Sequence, residues 1–224
     1  MSILLDNIDK IKARIDKSCR LVGRSVEEVN LLAVSKTKPP AMIEEAVSAG
    51  LRLFGENKVQ EAQNKIPLCP EGIDWHLIGH LQSNKAKIAA QMFHMIHSVD
   101  SLKVLKLLDA NAENTLPILL QVNVAGEAAK FGLAPQEVAS VIEECNTLKY
   151  CEVHGLMTIP PFSEDAERTR MHFRALRELR DQLQDTTNTP LPELSMGMSH
   201  DLEIAIEEGS TWVRIGSDLF GARS

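Results

Sequence analysis

Leu31-Leu32-Ala33-Val34-Ser35-Lys36, followed by Thr37-Lys38-Pro39-Pro40, is an apolar run that ends in a cation and a proline turn. The run does not alternate, so it reads as a strand buried on both faces, as strands of parallel sheets do. A lysine where such a strand emerges stands at the mouth of a core. Partial desolvation of an amine favours its neutral form, which can attack a carbonyl. A strand-end lysine can equally extend its charge to water, and this segment alone leaves both readings open.

Outward from this strand the pattern repeats. Residues 3–22 place Ile8, Ile11, Ile15 and Cys19 at helical spacing, which predicts an amphipathic leading helix. Apolar runs near 30–35, 51–54, 74–79, 95–99, 117–124, 152–159, 193–196 and 212–216 predict strands. The charged, periodic stretches between them predict helices: 42–49, 59–66, 83–92, 102–112, 135–145, 165–183 and a short one at 201–208 before Gly209. The last strand is left without a helix. Such alternation implies parallel strands joined by right-handed crossovers. Eight strands exceed the usual open doubly wound sheet, and no Gly-x-Gly-x-x-Gly follows the first. The expected fold is α/β, a single (β/α)8 TIM-type barrel with an extra N-terminal helix, one domain over residues 1–224. The stretch 185–192 reads as a loop within it.

Composition narrows the function. A net charge of −7 and few aromatic residues, 4%, argue against a nucleic-acid partner. Cys19, Cys69, Cys145 and Cys151 form no CxxC and have no histidine at ligand spacing, so reduced thiols and no metal site are expected. The N-terminus carries acids and no basic region, so no signal peptide is expected. No apolar run reaches the length of a membrane span. A cytoplasmic protein is expected.

A barrel of this kind places its site at the C-terminal ends of its strands. Lys36, Glu56, Asn57, His80, Asn123, Thr158, Ser195 to His200 and Arg214 to Asp218 then face the mouth, whereas Tyr150 and Cys151 fall at the opposite face. Ser195-Met196-Gly197-Met198-Ser199-His200-Asp201 follows strand seven and opens a helix, a setting for an anion. Gly216, closing strand eight beside Ser217, allows a ligand close to the backbone. Ser199 can also serve as a helix N-cap, and Arg214 can pair with Glu203 or Asp218. An amine opposite a phosphate cradle suits a ligand bearing an aldehyde and a phosphate, and pyridoxal 5′-phosphate (PLP) meets that description. Arg214 would face the pyridine nitrogen, and a guanidinium, which does not give up its proton, leaves that nitrogen unprotonated and the ring a weaker electron sink.

Six motifs recur in order: Ala33-Val34-Ser35-Lys36, Phe54-Gly55-Glu56-Asn57, His76 to Lys85, Gly155-Leu156-Met157, Leu194 to Ser199, and Val213-Arg214-Ile215-Gly216. On them the chain resembles the pyridoxal phosphate homeostasis proteins, which include the cyanobacterial PipY proteins. The resemblance implies a barrel like the N-terminal domain of alanine racemase, monomeric, binding PLP without established catalysis and acting in vitamin B6 and amino-acid balance. It implies Lys36 as the lysine that takes the aldehyde in a Schiff base. Ser199 with Gly216 and Ser217 becomes the phosphate cradle, and Arg214 the neighbour of the pyridine nitrogen. Asn57, His80 and Met196 are expected to line the cofactor. Three features depart from the family pattern: Lys58 where a tyrosine is common, His200 before Asp201, and Ala125, Ala128 and Ala129 where hydroxyls are frequent.

A racemase needs acid–base groups on both faces of its substrate, and here the only tyrosine, Tyr150, lies at the wrong end of strand six. His80 and His200 remain near the mouth as bases; His97 and His154 read as core or lining residues. No second domain or lid is expected over the cofactor, which suits handover of PLP to apo PLP-dependent enzymes better than shielding of a carbanion. The expectation is therefore a non-enzymatic carrier and buffer with no catalytic residue. A weak racemase, a PLP-free Schiff-base aldolase and a regulatory module stay open as alternatives.

Overall fold

The computed structural model describes residues 2–127 and 129–221. Its eight strands are β1 (Asn30–Val34), β2 (Leu53–Glu56), β3 (Asp74–Leu77), β4 (Met95–Val99), β5 (Leu116–Gln121), β6 (Cys151–Met157), β7 (Glu193–Met198) and β8 (Trp212–Ile215). They pair in chain order, all parallel, into a closed barrel. Closure sets Leu31 opposite Val213 and Ala33 opposite Ile215, so the first strand lies beside the last.

Helix α1 (Ile3–Leu21) starts where the Ser2 hydroxyl accepts from the Leu4 N–H, and it buries Ile8, Ile11, Ile15 and Cys19 as their spacing predicts. The crossover helices are α2 (Pro40–Ser48), α3 (Val59–Lys65), α4 (Ala86–Met92), α5 (Leu102–Asp109), α6 (Val138–Cys145), α7 (Ala166–Thr187) and α8 (Leu202–Glu207). A ninth, α9 (Ser217–Phe220), follows β8, where none was expected; four residues are too few to show a helical period. None of the helices among the described residues is long and apolar enough to cross a membrane.

Two apolar layers hold the barrel. Inside it pack Leu32, Val34, Ile78, Met95, Leu119, Met157 and Trp212. Between strands and helices lies the larger layer, which includes Phe54, Ile96, Phe173, Met196 and Ile215. Each fully buried aliphatic side chain contributes roughly 1.5–3 kcal/mol.

Two readings of the sequence need correction. Strand β2 lies two residues beyond the expected 51–54, because Gly55 and Glu56 extend the pairing with β3. Glu56 is therefore a buried strand residue rather than part of the mouth. From sequence the charged run 168–180 of α7 reads as a solvated face with i,i+4 pairing, but Arg170, Arg174 and Arg177 converge on Glu208, which is buried, and tie α7 to the end of α8. Ala128 lies outside the described residues.

Strands β6 and β7 approach so closely that a Cβ on Gly155 would stand 1.9 Å from the Glu193 carbonyl oxygen. Backbone cannot yield as a side chain can. We expect Gly155→Ala to lower unfolding stability by about 2 kcal/mol or more, read from urea-melt midpoints.

Candidate functional site

At the C-terminal ends of the strands a cavity of about 200 Å³ brings together Lys36 after β1, Asn57 after β2, Ser199 after β7, and Arg214, Gly216 and Ser217 of β8 and the turn beyond it. Val34, Ile78 and Ile159 supply apolar wall. Six of the eight residues singled out from sequence thus share one cavity.

The segment carrying Lys36 is clamped from behind. Lys65, on α3 and almost fully buried, donates to the Ser35 carbonyl (2.8 Å), to Glu56 (2.8 Å) and to Glu61 (2.7 Å). The Ser35 hydroxyl donates to the same Glu56 oxygen at 2.6 Å, and the Thr37 N–H donates to Glu61 at 2.5 Å. Thr37 takes φ 64°, the left-handed region that β-branched residues avoid. Neighbouring contacts thus hold Lys36 between a pinned carbonyl and a strained turn. Burial pushes the Glu56 carboxyl above its ordinary range, against the pull of Lys65 and Ser35. Lys65 was missed from sequence because a lysine reads as a surface charge, although it follows Val59 and Ala62 at three-residue spacing on the buried side of α3.

On the opposite side, the Ser217 hydroxyl donates to Ser199 Oγ (3.2 Å), and the Asp218 N–H points to the same oxygen (3.5 Å). Two hydroxyls and a glycine turn therefore face one point. Ser199 is not a helix cap: α8 is preceded by Asp201, whose carboxylate accepts from the Met198 N–H at 2.6 Å. Nor does Arg214 pair with Glu203 or Asp218, both of which are bound by Arg14 of α1.

Arg214 is instead buried in the barrel, donating to Ser195 Oγ (2.7 Å) and to the Thr158 carbonyl (2.9 Å). Both partners are neutral. Burial lowers its pKa to about 10, so it remains a cation at neutral pH. Ser195 Oγ also lies 2.9 Å from His97 Nδ1, and His97 Nε2 lies 2.9 Å from His76 Nδ1, so a polar chain runs from the cavity into the barrel. Burial pulls His76 down to about 3 and His97 well below its usual value, so both rings stay neutral.

Two expected residues lie elsewhere. Met196 is fully buried in the outer layer, because its neighbour Ser195 faces the barrel interior and alternation sends Met196 the other way. A register shift between Ser195 and Met198, with Gly197 at φ 92°, brings Met198 to the cavity in its place. His80 lines a neighbouring cavity that shares Asn57. There Asp100 accepts from its Nδ1 at 2.7 Å and the Phe131 ring stacks on it with centroids 3.7 Å apart. His97 is interior, as expected, whereas His154 is half-exposed near Glu152. Buried Cys145 and Cys151 have thiols pushed up by burial to about 11 and about 12.

These networks give two expectations. Lys65→Met strands the Glu56 charge and should cost about 3–5 kcal/mol, most of it regained in Lys65→Met/Glu56→Gln; urea melts of the three proteins check this. His76, depressed in the folded protein, contributes stability that is present above pH ~6.5 and lost as pH falls towards 3. At pH ~4.5 its share of the loss should be about 2–3 kcal/mol, and His76→Gln should remove that share from the stability–pH curve.

The profile of the family described as alanine racemase, N-terminal domain, matches residues 7–224. The chain is 48% identical over 227 residues to the pyridoxal phosphate homeostasis protein of Pseudomonas aeruginosa, covering 100% of this chain and 97% of that one. It is 44% identical to the protein of the same name from Aquifex aeolicus, covering 97% of each. Among solved structures, PipY of Synechococcus elongatus with PLP bound superposes with a TM-score of 0.81 at 38% identity, covering 93% of this chain and 100% of that one. The chain belongs to the alanine racemase N-terminal domain family, and within it to the pyridoxal phosphate homeostasis proteins.

Proposed function

We propose that this protein binds PLP in the cavity between Lys36 and Arg214 and serves in intracellular PLP homeostasis as a carrier and buffer. The observation that carries the reading is the convergence of three chemistries on one small cavity: an amine, two serine hydroxyls at a glycine turn, and a buried cation with neutral partners. The residues fit the cofactor. Asn57 has a buried side-chain oxygen with no hydrogen-bond partner in the protein, at a position that lines this cavity.

When bound, PLP supplies an aldehyde for a Schiff base and an electron-withdrawing ring. Lys36 would offer the amine to that aldehyde, Ser199 and Ser217 would hold the phosphate through their hydroxyls, and Arg214 would donate towards the pyridine nitrogen while keeping its own proton. That last feature weakens the ring as an electron sink and disfavours catalysis.

Three further observations support carriage over turnover. Tyr150 lies at the opposite end of the barrel, where its N–H is held by Asp109. Of the two candidate bases, His80 is pinned by Asp100 and Phe131 outside the cavity, which leaves His200 alone in its lining and, among the described residues, no pair of histidine bases across it. Ile159 in the cavity wall and Phe162 beside His200 are exposed, which suits a mouth open to acceptor apo-enzymes. The reading takes the chain as a cytoplasmic monomer, supported by a site built from one chain and by four free thiols.

Borohydride reduction after loading with PLP should leave a pyridoxyl phosphate adduct on the peptide containing Lys36, and none in Lys36→Ala. Mass spectrometry that locates the adduct on another lysine, or finds none in the wild type, would overturn the proposal. Carriage also requires the loaded protein to activate an apo-enzyme beyond what the same free PLP achieves.

A further inference from the structure

Arg14 lies on α1, outside the barrel wall and outside every motif that carries the family resemblance. Its guanidinium nevertheless reaches the cradle. Nε donates to Glu203 Oε1 (2.7 Å), Nη2 to Glu203 Oε2 (3.0 Å), Nη1 to Asp218 Oδ2 (2.8 Å), and Nη2 also to the Ser199 carbonyl (2.8 Å). One planar fork thus joins α8, α9 and the loop after β7, and only a guanidinium has that geometry.

The two acids would otherwise harm an anion site. Asp218 directly follows Ser217, and its N–H points at Ser199 Oγ. Glu203 lies in the first turn of α8, directly after the same loop. Burial opposes ionisation of Glu203, but its hydrogen bond to Arg14 holds the carboxyl below its ordinary range, so both partners are charged. Without Arg14, two carboxylates would stand beside a dianionic ligand.

We propose that Arg14 is the positioning residue of the phosphate cradle: from outside the barrel it fixes the Ser199 carbonyl and cancels the charge of Glu203 and Asp218, so that the hydroxyls accept a phosphate group. The inference rests on the PLP reading above. Arg14 acts through Ser199 and does not touch the ligand.

The test is calorimetric binding of PLP, pyridoxal and inorganic phosphate to the full chain, as wild type, Arg14→Ala, Arg14→Lys and Arg14→Ala/Glu203→Gln/Asp218→Asn. Arg14→Ala should weaken PLP and inorganic phosphate about tenfold or more, and pyridoxal less than about twofold. The triple variant should regain most of the phosphate loss, since the repulsion is gone. Arg14→Lys, a single cation without the fork, should fall between wild type and Arg14→Ala, and it decides the matter should the alanine variant not fold. Equal loss of pyridoxal and PLP, which a purely structural tie would produce, overturns the proposal; so does unchanged phosphate binding. If the wild type forms no adduct with either aldehyde, the PLP reading falls, and the inorganic phosphate arm still judges Arg14.

Discussion

Pairing of β1 with β8 is the constraint on which the rest of the structure depends. Leu32 stands opposite Arg214, and this register carries Lys36 and Gly216 to one end of a closed sheet. Residues about 180 positions apart become neighbours only because the sheet closes. In an open sheet these strands would be its edges, with unpaired backbone groups facing solvent.

Around the site, three cations are handled in different ways. Lys65 is matched by Glu56 and Glu61, and Arg14 by Glu203 and Asp218. These pairs set backbone: one behind Lys36, the other behind Ser199. Arg214 has only neutral hydrogen-bond partners, although the field of Asp201 favours its charge. A buried guanidinium without a carboxylate is costly in the protein alone. In a complex its charge is available to the ligand.

Below the cavity, the Ser195–His97–His76 chain keeps polar atoms satisfied in a space otherwise filled by Leu32, Met95 and Leu119. Burial suppresses protonation of both rings, so Arg214, which donates to the neutral Ser195 hydroxyl and Thr158 carbonyl, meets no second cation from this chain near neutral pH. The same suppression makes the fold sensitive to acid.

The alternation of apolar runs with periodic charged stretches was sufficient to determine a barrel with a leading helix, because burial on both faces of a strand and on one face of a helix leaves different periods in the residue order. It also determined that Lys36, Ser199 and Arg214 belong at one end, since Lys36 and Ser199 follow strands and Arg214 lies near the end of the last one. Only the tertiary structure decided which neighbours they have. The bulge in β7 exchanges Met196 for Met198 at the cavity, and β2 lies two residues further along the chain and buries Glu56. Arg14 and Lys65 carry charges at the edges of their helices' buried faces and belong to no motif, yet they close the charge balance of the site. A residue order records the period of burial but not the distance between elements, and these contacts depend on that distance.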